Sequence, residues 1–462
     1  MTKLWFRAAL LPDGWAENVR LEMLDGRIAS VEAGRPAQPG DERHGYGVPG
    51  LPNLHSHAFQ RAMAGRAEHR SSEVDTFWSW RTQMYRLAKR VRPDDLAAIA
   101  ALAFIEMLEA GFVHVGEFHY VHHDIDGRAF DDPGEMAAAL VRAAEQTGIG
   151  LTLLPVFYAQ SGFGGGAPTP EQSRFIHDAD GFSRLLECCV KLIRPLGDAR
   201  LGVAPHSLRA VAPEDLLRVA AMAPDGPIHI HIAEQRLEVD DCIAWSGQRP
   251  VSWLLDHADV GSRWCLVHAT HVTPAEVAAI ASSRAVVGLC PITEANLGDG
   301  IFPASTLLTK GGAFGIGSDS NVLIDPAEEL RLLEYGQRLA NGARNVLADG
   351  AHRATADTLF DRVRLGGSQA LGVAAGELSA GAPATLLSLD GEHPSMCGTR
   401  PDEILSRWVF GARGPVVESV WRRGRQVVAG GRHVARPAVL AGYRAAIARL
   451  GDDADSHWRR VG

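Results

Sequence analysis

Between residues 48 and 372 the sequence alternates short apolar, strand-like runs with longer helix-like segments, which restricts the chain to folds built on a parallel sheet. One unit is explicit. Pro93-Asp94 suits a helix start, an alanine- and leucine-rich stretch runs through Leu108, and Gly111 suits the left-handed residue that ends it. A strand, Phe112–Gly116, follows at once. The pattern recurs with a helix over 134–147, Gly148, and a strand Leu151–Val156. Later strands are expected at Leu201–Ala204, Ile228–His231, Trp264–Val267, Ala285–Leu289 and Phe314–Ile316. With Val48–Leu54 as the first there are about eight strands, which suits an α/β fold of the (β/α)8 TIM barrel type. Working groups of such a barrel stand where strands end and loops begin.

Four fragments place chemistry at those ends: His55-Ser-His57, His231-Ile-Ala-Glu234, His268 and Ser318-Asp319. Side chains repeat every two residues along a strand, so His55 and His57 project from one face and can grip one ion together. A catalytic zinc takes imidazole and carboxylate ligands and keeps a position open for water, whose pKa falls when bound. His231 and Asp319 complete the expected set of His55, His57, His231 and Asp319. Two decoys compete. His229 shares strand parity with His231, but only His231 has a glutamate three residues on, so His229 is expected one layer lower. His122-His123 lies in a polar stretch and reads as solvated loop.

The 462 residues are 46% hydrophobic, enough for a large core, and imply one big domain with a smaller one. A formal net charge of -9, with basic residues spread along the chain, argues against a nucleic-acid partner. Six cysteines, at 188, 189, 242, 265, 290 and 397, form no metal or disulfide spacing and read as reduced core or wall residues. The first residues carry no secretory pattern and no run approaches the roughly 18 apolar residues of a spanning helix, so a soluble, cytoplasmic protein without a membrane partner is expected. The ends of the chain differ from its middle. Val19–Val31 reads as two short strands about an Asp25-Gly26 turn, and Ala384–Leu389 with Val417–Val428 repeats that style. The expected division is therefore 1–47 and 373–462, the latter with a terminal helix, as a composite β-sandwich, around a metal-dependent barrel over 48–372. Ser161–Pro170, rich in glycine, is either a cover for a pocket or a plain surface loop.

His-x-His, His-x-x-Glu, a later His and a final Asp, in that order, resemble the deaminase branch of the amidohydrolase superfamily. The resemblance spans nearly the whole chain, barrel and flanking strands included. No carboxylated-lysine or bridging-carboxylate motif stands on the fourth strand, which implies a single metal, most simply one Zn2+, with Fe2+ or another divalent ion as the substitute. Finer strings narrow it: Pro52-Asn-Leu-His-Ser-His-Ala-Phe-Gln-Arg61, Trp78-Ser-Trp-Arg81, Gly116-Glu-Phe-His-Tyr120, Ala204-Pro-His-Ser-Leu-Arg209 and His229-Ile-His-Ile-Ala-Glu-Gln235. They resemble the formimidoylglutamate deiminases, which implies hydrolysis of N-formimino-L-glutamate to N-formyl-L-glutamate and ammonia, in histidine degradation, by a homodimer.

That resemblance implies a substrate pocket lined by Gln60, Arg81, Tyr120, His206 and Arg209. Guanidinium groups bind carboxylates bidentately, which suits a small dicarboxylate. Taken alone, Arg81 reads first as a solvated charge beside two core tryptophans. The implied catalytic residues are Glu234, His268 and Asp319: His268 helps deprotonate and orient the water, Glu234 carries the proton to the substrate nitrogen, and Asp319 is a second acceptor. Two rivals remain. The same machinery serves ring amidines, so a nucleobase or nucleoside such as guanine or an adenosine derivative is the alternative substrate, although such pockets usually stack the ring on aromatics. A non-catalytic barrel that has lost its metal should lack a ligand or the glutamate, and none is missing.

Overall fold

The structure, a computed structural model, describes residues 1–69, 76–350 and 354–452, so residues 453–462 of the expected terminal segment lie outside the described residues. Helix Pro93–Ala110 has proline in its first turn beside Asp94 and Asp95, and Gly111 ends it at φ 107. Proline lacks the amide that a first turn leaves unpaired, carboxylates suit the positive end of the helix dipole, and glycine enters the left-handed region without a Cβ clash. The chain then enters strand Phe112–His119, buried along its whole length. The sequence repeats this in helix Glu135–Thr147, Gly148 at φ 75, and the buried strand Gly150–Phe157.

Two parallel sheets result. One holds Leu51–Ser56, Phe112–His119, Gly150–Phe157 and Arg200–Leu201, with Ala204–Pro205 also paired to Gly150–Phe157; the other holds Ile228–Ile232, Trp264–His268, Val286–Leu289 and Ala313–Ile316. Parallel neighbours cannot be joined by a tight turn, so helices cross back between them and the strand C-termini share one side. The sheets meet at both edges through parallel bridges: Val203 with Ile228 and Ser207 with His231 at one, Ser56 with Asp319 at the other.

Two expected strands are divided. Val48–Leu54 splits at Gly50, so Val48 and Pro49 belong to strand Glu42–Pro49 of the terminal sheet and only Leu51–Ser56 joins the parallel one. A Cβ at Gly50 would lie 2.5 Å from the Val113 methyls, too close for any other residue at that crossing. Leu201–Ala204 splits about Gly202, where a Cβ would meet the Pro227 carbonyl oxygen at 2.4 Å.

The chain ends share one sheet, ordered Arg432–His433, Arg425–Ala429, Val417–Arg422, Leu386–Leu389, Glu42–Pro49, Thr2–Leu11, Gly14–Leu24 and Arg27–Glu32. The two halves join where Leu386–Leu389 runs antiparallel to Glu42–Pro49. Asp25 (φ 49) and Gly26 (φ 77) make the expected tight turn. A separate apolar cluster, including Leu4, Phe6, Val19, Leu21 and Trp421, backs this sheet. Helix Arg436–Asp452 is fastened to helix Pro93–Ala110 by Arg449 Nε donating to buried Asp95 at 3.0 Å. Among the described residues no helix is long and apolar enough to cross a membrane. All six cysteines are free, and Cys189, Cys242, Cys265 and Cys290 are buried as expected. Cys397 departs from that expectation: it is exposed, in the short loop after Pro394–Met396.

Candidate active site

The strand ends bring His55, His57, His231 and Asp319 together, with one ligand atom from each lying within 4.8 Å of the others. Nε2 of His55 is 3.2 Å from that of His57 and 3.1 Å from that of His231. Asp319 Oδ1 lies 3.4 Å from His55 Nε2 and 3.2 Å from His57 Nε2. Around an ion with bonds of roughly 2.0–2.1 Å, tetrahedral corners stand about 3.3–3.4 Å apart, so these edges fit one small divalent ion. The ring nitrogens that face away explain the orientation. His57 Nδ1 donates to the Phe118 carbonyl at 2.9 Å and His231 Nδ1 to the His206 carbonyl at 3.2 Å, which leaves each Nε2 lone pair facing inward.

The backbone at this rim is turned by force of context. Ala233 (φ 51), His268 (φ 68) and Asp319 (φ 44) all occupy the left-handed region, at a cost of about 1–2 kcal/mol each for a residue with Cβ. Bonds to neighbouring strand ends hold them: Asp319 N donates to His55 O and His57 N to Asp319 O, both at 2.9 Å, and Ala269 N donates to Ile232 O at 3.0 Å. Such strain persists where the surroundings over-determine it, commonly at working sites.

Burial sets the charge states. It lowers His55 to about 3, with neighbouring His57 adding to the effect against the pull of Asp319. Burial, then His55 and His206, hold His231 well below its ordinary value, so both imidazoles are neutral and able to ligate. Burial opposes the Asp319 charge, but hydrogen bonds from His55 and His57 prevail and hold it well below the usual carboxylate range. His268 is the reverse case. Burial works against its cation, yet Glu234, Glu294 and Asp319 together raise it to about 10. Its Nε2 is 3.7 Å from Glu234 Oε1 and 3.9 Å from Asp319 Oδ2, and its Nδ1 is 3.2 Å from Glu294 Oε1. Burial raises Glu234, opposed by His268 and Arg209, so a protonated carboxyl is favoured more there than on a surface glutamate.

A cavity opens directly over these groups, and all five residues expected to contact substrate line it: Gln60, Arg81, Tyr120, His206 and Arg209. Gln60 Nε2 donates to the Tyr120 hydroxyl at 2.8 Å, and the His206 ring stands 5.0 Å from that of His231. Arg209 Nη2 and Nε lie 4.0 Å from Glu234 and Glu238 respectively, and Nε has no hydrogen-bond partner among the described residues. Arg81 is no solvated charge beside a core: Trp78 and Trp80 are half-buried, and Trp80 itself faces the cavity.

Several contributors were not singled out in the sequence. Phe77, Trp80, Met84 and Tyr85 join the expected Arg81, at the spacing of one helical face, to wall the cavity from helix Phe77–Ala88. Tyr158 and Phe175 face it too, so the expected contrast with aromatic-lined pockets does not hold: arginines and aromatics are both present. Glu238, fully buried, accepts from Ala233 N at 3.2 Å and Glu234 N at 3.1 Å. Of the decoys, His229 is buried below the cluster with Nε2 on Ala370 O at 2.7 Å, as expected. The expected solvation of His122-His123 is overturned: His122 is buried and His123 half-buried, because the Arg174 carbonyl accepts both their amides, at 2.9 and 3.1 Å. The glycine-rich loop does not line the cavity; Gly162 N donates to Arg209 O at 2.9 Å, and Phe163 stacks on Trp245 at 5.5 Å.

Known proteins resemble this chain along nearly its whole length. Residues 46–427 match the amidohydrolase family, and residues 1–45 match the formimidoylglutamate deiminase HutF N-terminal domain. A formimidoylglutamate deiminase of Pseudomonas aeruginosa is 50% identical over 437 residues, which cover 94% of this chain and 96% of that protein. The crystal structure of an amidohydrolase from Brucella melitensis is similar with a TM-score of 0.93 and 52% identity, over 97% of this chain and 100% of that one. An adenosine deaminase from Xanthomonas campestris with bound zinc is 22% identical with a TM-score of 0.80 over 98% of each chain, a likeness of fold alone.

Proposed function

Because the chain belongs to the amidohydrolase family, we propose that it hydrolyses N-formimino-L-glutamate to N-formyl-L-glutamate and ammonia. The observation that carries this reading is the pair of guanidinium groups, Arg81 and Arg209, on the wall of the cavity over the His55, His57, His231 and Asp319 cluster. A dicarboxylate carrying an amidine satisfies both arginines and presents its imino carbon to the cluster. The family relation to a formimidoylglutamate deiminase supports the same substrate.

His55, His57, His231 and Asp319 would hold one zinc ion, the choice of metal resting on the nitrogen-rich donor set and its tetrahedral spacing. Bound there, a divalent ion supplies Lewis acidity and a water of lowered pKa. Glu234, whose burial favours the protonated carboxyl, delivers a proton to the imino nitrogen and makes the adjacent carbon electrophilic. The water oxygen adds to that carbon. One of its protons passes through Asp319 or Glu234 to the terminal amine, the carbon–nitrogen bond breaks, ammonia leaves, and the remaining hydroxyl proton returns to Glu234 as the formyl carbonyl forms. The Glu294 and Asp319 carboxylates favour the His268 cation, so we give His268 the orienting half of its expected role.

We read the parallel strands as a (β/α)8 barrel over the expected 48–372 less Val48 and Pro49, which pair in the terminal sheet, supported by the meeting of the two sheets at both edges, with the chain ends, 1–47 and 373–462, as the flanking composite domain. The aromatic wall favours one rival, a purine stacked on Trp80 and Tyr85. A neutral purine offers no anion to Arg81, which has no carboxylate partner among the described residues, and this opposes it. The discriminating experiment measures ammonia from metal-replete protein given N-formimino-L-glutamate or guanine. Release from the first alone is expected; release from guanine alone ends the dicarboxylate reading.

A further inference from the structure

Trp78 does not line the cavity, although five other residues of helix Phe77–Ala88 do. Its ring nonetheless faces both arginines: Arg81 Cζ lies 4.4 Å from the ring centroid and Arg209 Cζ 5.9 Å. The helix start fixes the backbone that carries this ring, since the Thr76 side chain accepts from Trp78 N at 3.3 Å.

The two cations are compensated in different ways. Arg209 has the Glu234 and Glu238 carboxylates at 4.0 Å. Arg81 has no ion pair among the described residues and is held between aromatic faces, Trp78 at 4.4 Å and Tyr85 at 5.4 Å. The difference matters for binding an anion. A carboxylate partner would orient Arg81 but also neutralise it and compete with the ligand. An aromatic face orients a guanidinium by its quadrupole and leaves the full charge available.

The geometry points to Trp78 as the positioning residue of the carboxylate-binding site: it presents Arg81 to the cavity as an uncompensated cation and fixes its place relative to Arg209. This rests on the dicarboxylate reading above. It requires that Trp78 act on ligand affinity through Arg81, with little effect on the reaction of bound substrate.

The test measures glutarate binding by calorimetry, since glutarate carries two carboxylates and no amidine, together with kcat and KM for N-formimino-L-glutamate. Trp78→Leu should weaken glutarate about tenfold and raise KM alike, the size of a partly desolvated cation–π contact, with kcat within about twofold. Trp78→Phe should recover most of the loss. In an Arg81→Met background, Trp78→Leu should cost nothing further. Unchanged glutarate affinity in Trp78→Leu, the same penalty with Arg81 already removed, or a fall in kcat at constant KM each overturns the proposal. If Trp78→Leu does not fold, Trp78→Phe is decisive by itself, with a loss of about two- to threefold expected from its weaker quadrupole and no loss a refutation. Wild-type protein that binds glutarate but releases no ammonia refutes the substrate and leaves Trp78 to be judged by the titration. Wild-type protein that does not bind glutarate overturns the proposal for Trp78 and leaves the substrate to be judged by ammonia release.

Discussion

Replacing Asn321 by alanine tests how the two halves of the metal cluster are held in register. Asn321 is fully buried. Its Nδ2 shares two hydrogens among Ser56 Oγ at 3.1 Å, His57 O at 3.1 Å and Asp319 O at 3.0 Å, while Oδ1 accepts from Ser318 Oγ at 2.6 Å. One side chain thus ties the His55–His57 strand end to Asp319. His57 O also accepts from Gln60 N, and Asp319 O from His57 N, both at 2.9 Å, so neither carbonyl is left unpaired by the substitution. The loss is then the net worth of four shared bonds at roughly 0.5–1.5 kcal/mol each, about 2–4 kcal/mol once sharing is allowed for. Asn321 also sits at φ 55, where alanine costs about 1 kcal/mol more than asparagine or glycine. Alanine should therefore destabilise by about 3–5 kcal/mol and glycine by about 1 kcal/mol less, with metal affinity about 10–100-fold lower in both. Thermal unfolding of metal-stripped protein and competition for zinc against a chromophoric chelator measure the two effects. An alanine variant that melts within a degree of wild type and holds zinc as tightly would refute the reasoning.

Three further outcomes are expected. Glu234→Gln keeps the shape of the carboxyl but not its proton, so metal content should match wild type while kcat/KM falls by about 10²–10⁴; near-normal turnover would remove Glu234 from proton transfer. Zinc added to stripped protein should stabilise it by about 4 kcal/mol at a thousandfold excess over the dissociation constant, and a melting curve unmoved by zinc or another divalent ion would contradict the four-ligand cluster. Cys397, the exposed thiol, should react first with an aromatic disulfide in the native state, and Cys397→Ser should abolish that fast phase; a fast phase that survives assigns the reactivity elsewhere.

Much of the site was legible because its cues are local. His55 and His57 share a face by the period of a strand, Glu234 distinguishes His231 from His229, and Gly111 and Gly148 mark where helices give way to strands. What stayed hidden depended on distant partners. Phe77, Trp80 and Met84 make the stripe of an ordinary core helix, and periodicity reports that a face is covered without saying by what. His122-His123 sits among polar neighbours, yet it lies beneath Arg174, itself buried with a guanidinium on the Ala88 and Val91 carbonyls. Glu238 and Asn321 are ordinary polar residues until the fold places backbone amides and carbonyls around them.

The order of residues decided by itself which atoms could ligate a cation, that they would stand at strand ends, and that strands would run parallel, since side-chain type and hydrophobic period are properties of short segments. Distances were decided elsewhere. Whether four ligands stand one coordination edge apart depends on the bridge between Ser56 and Asp319, and whether two arginines share a cavity depends on how helix Phe77–Ala88 lies over the rim. Those are contacts between segments remote in the chain, whose register is set by the packing of everything between them.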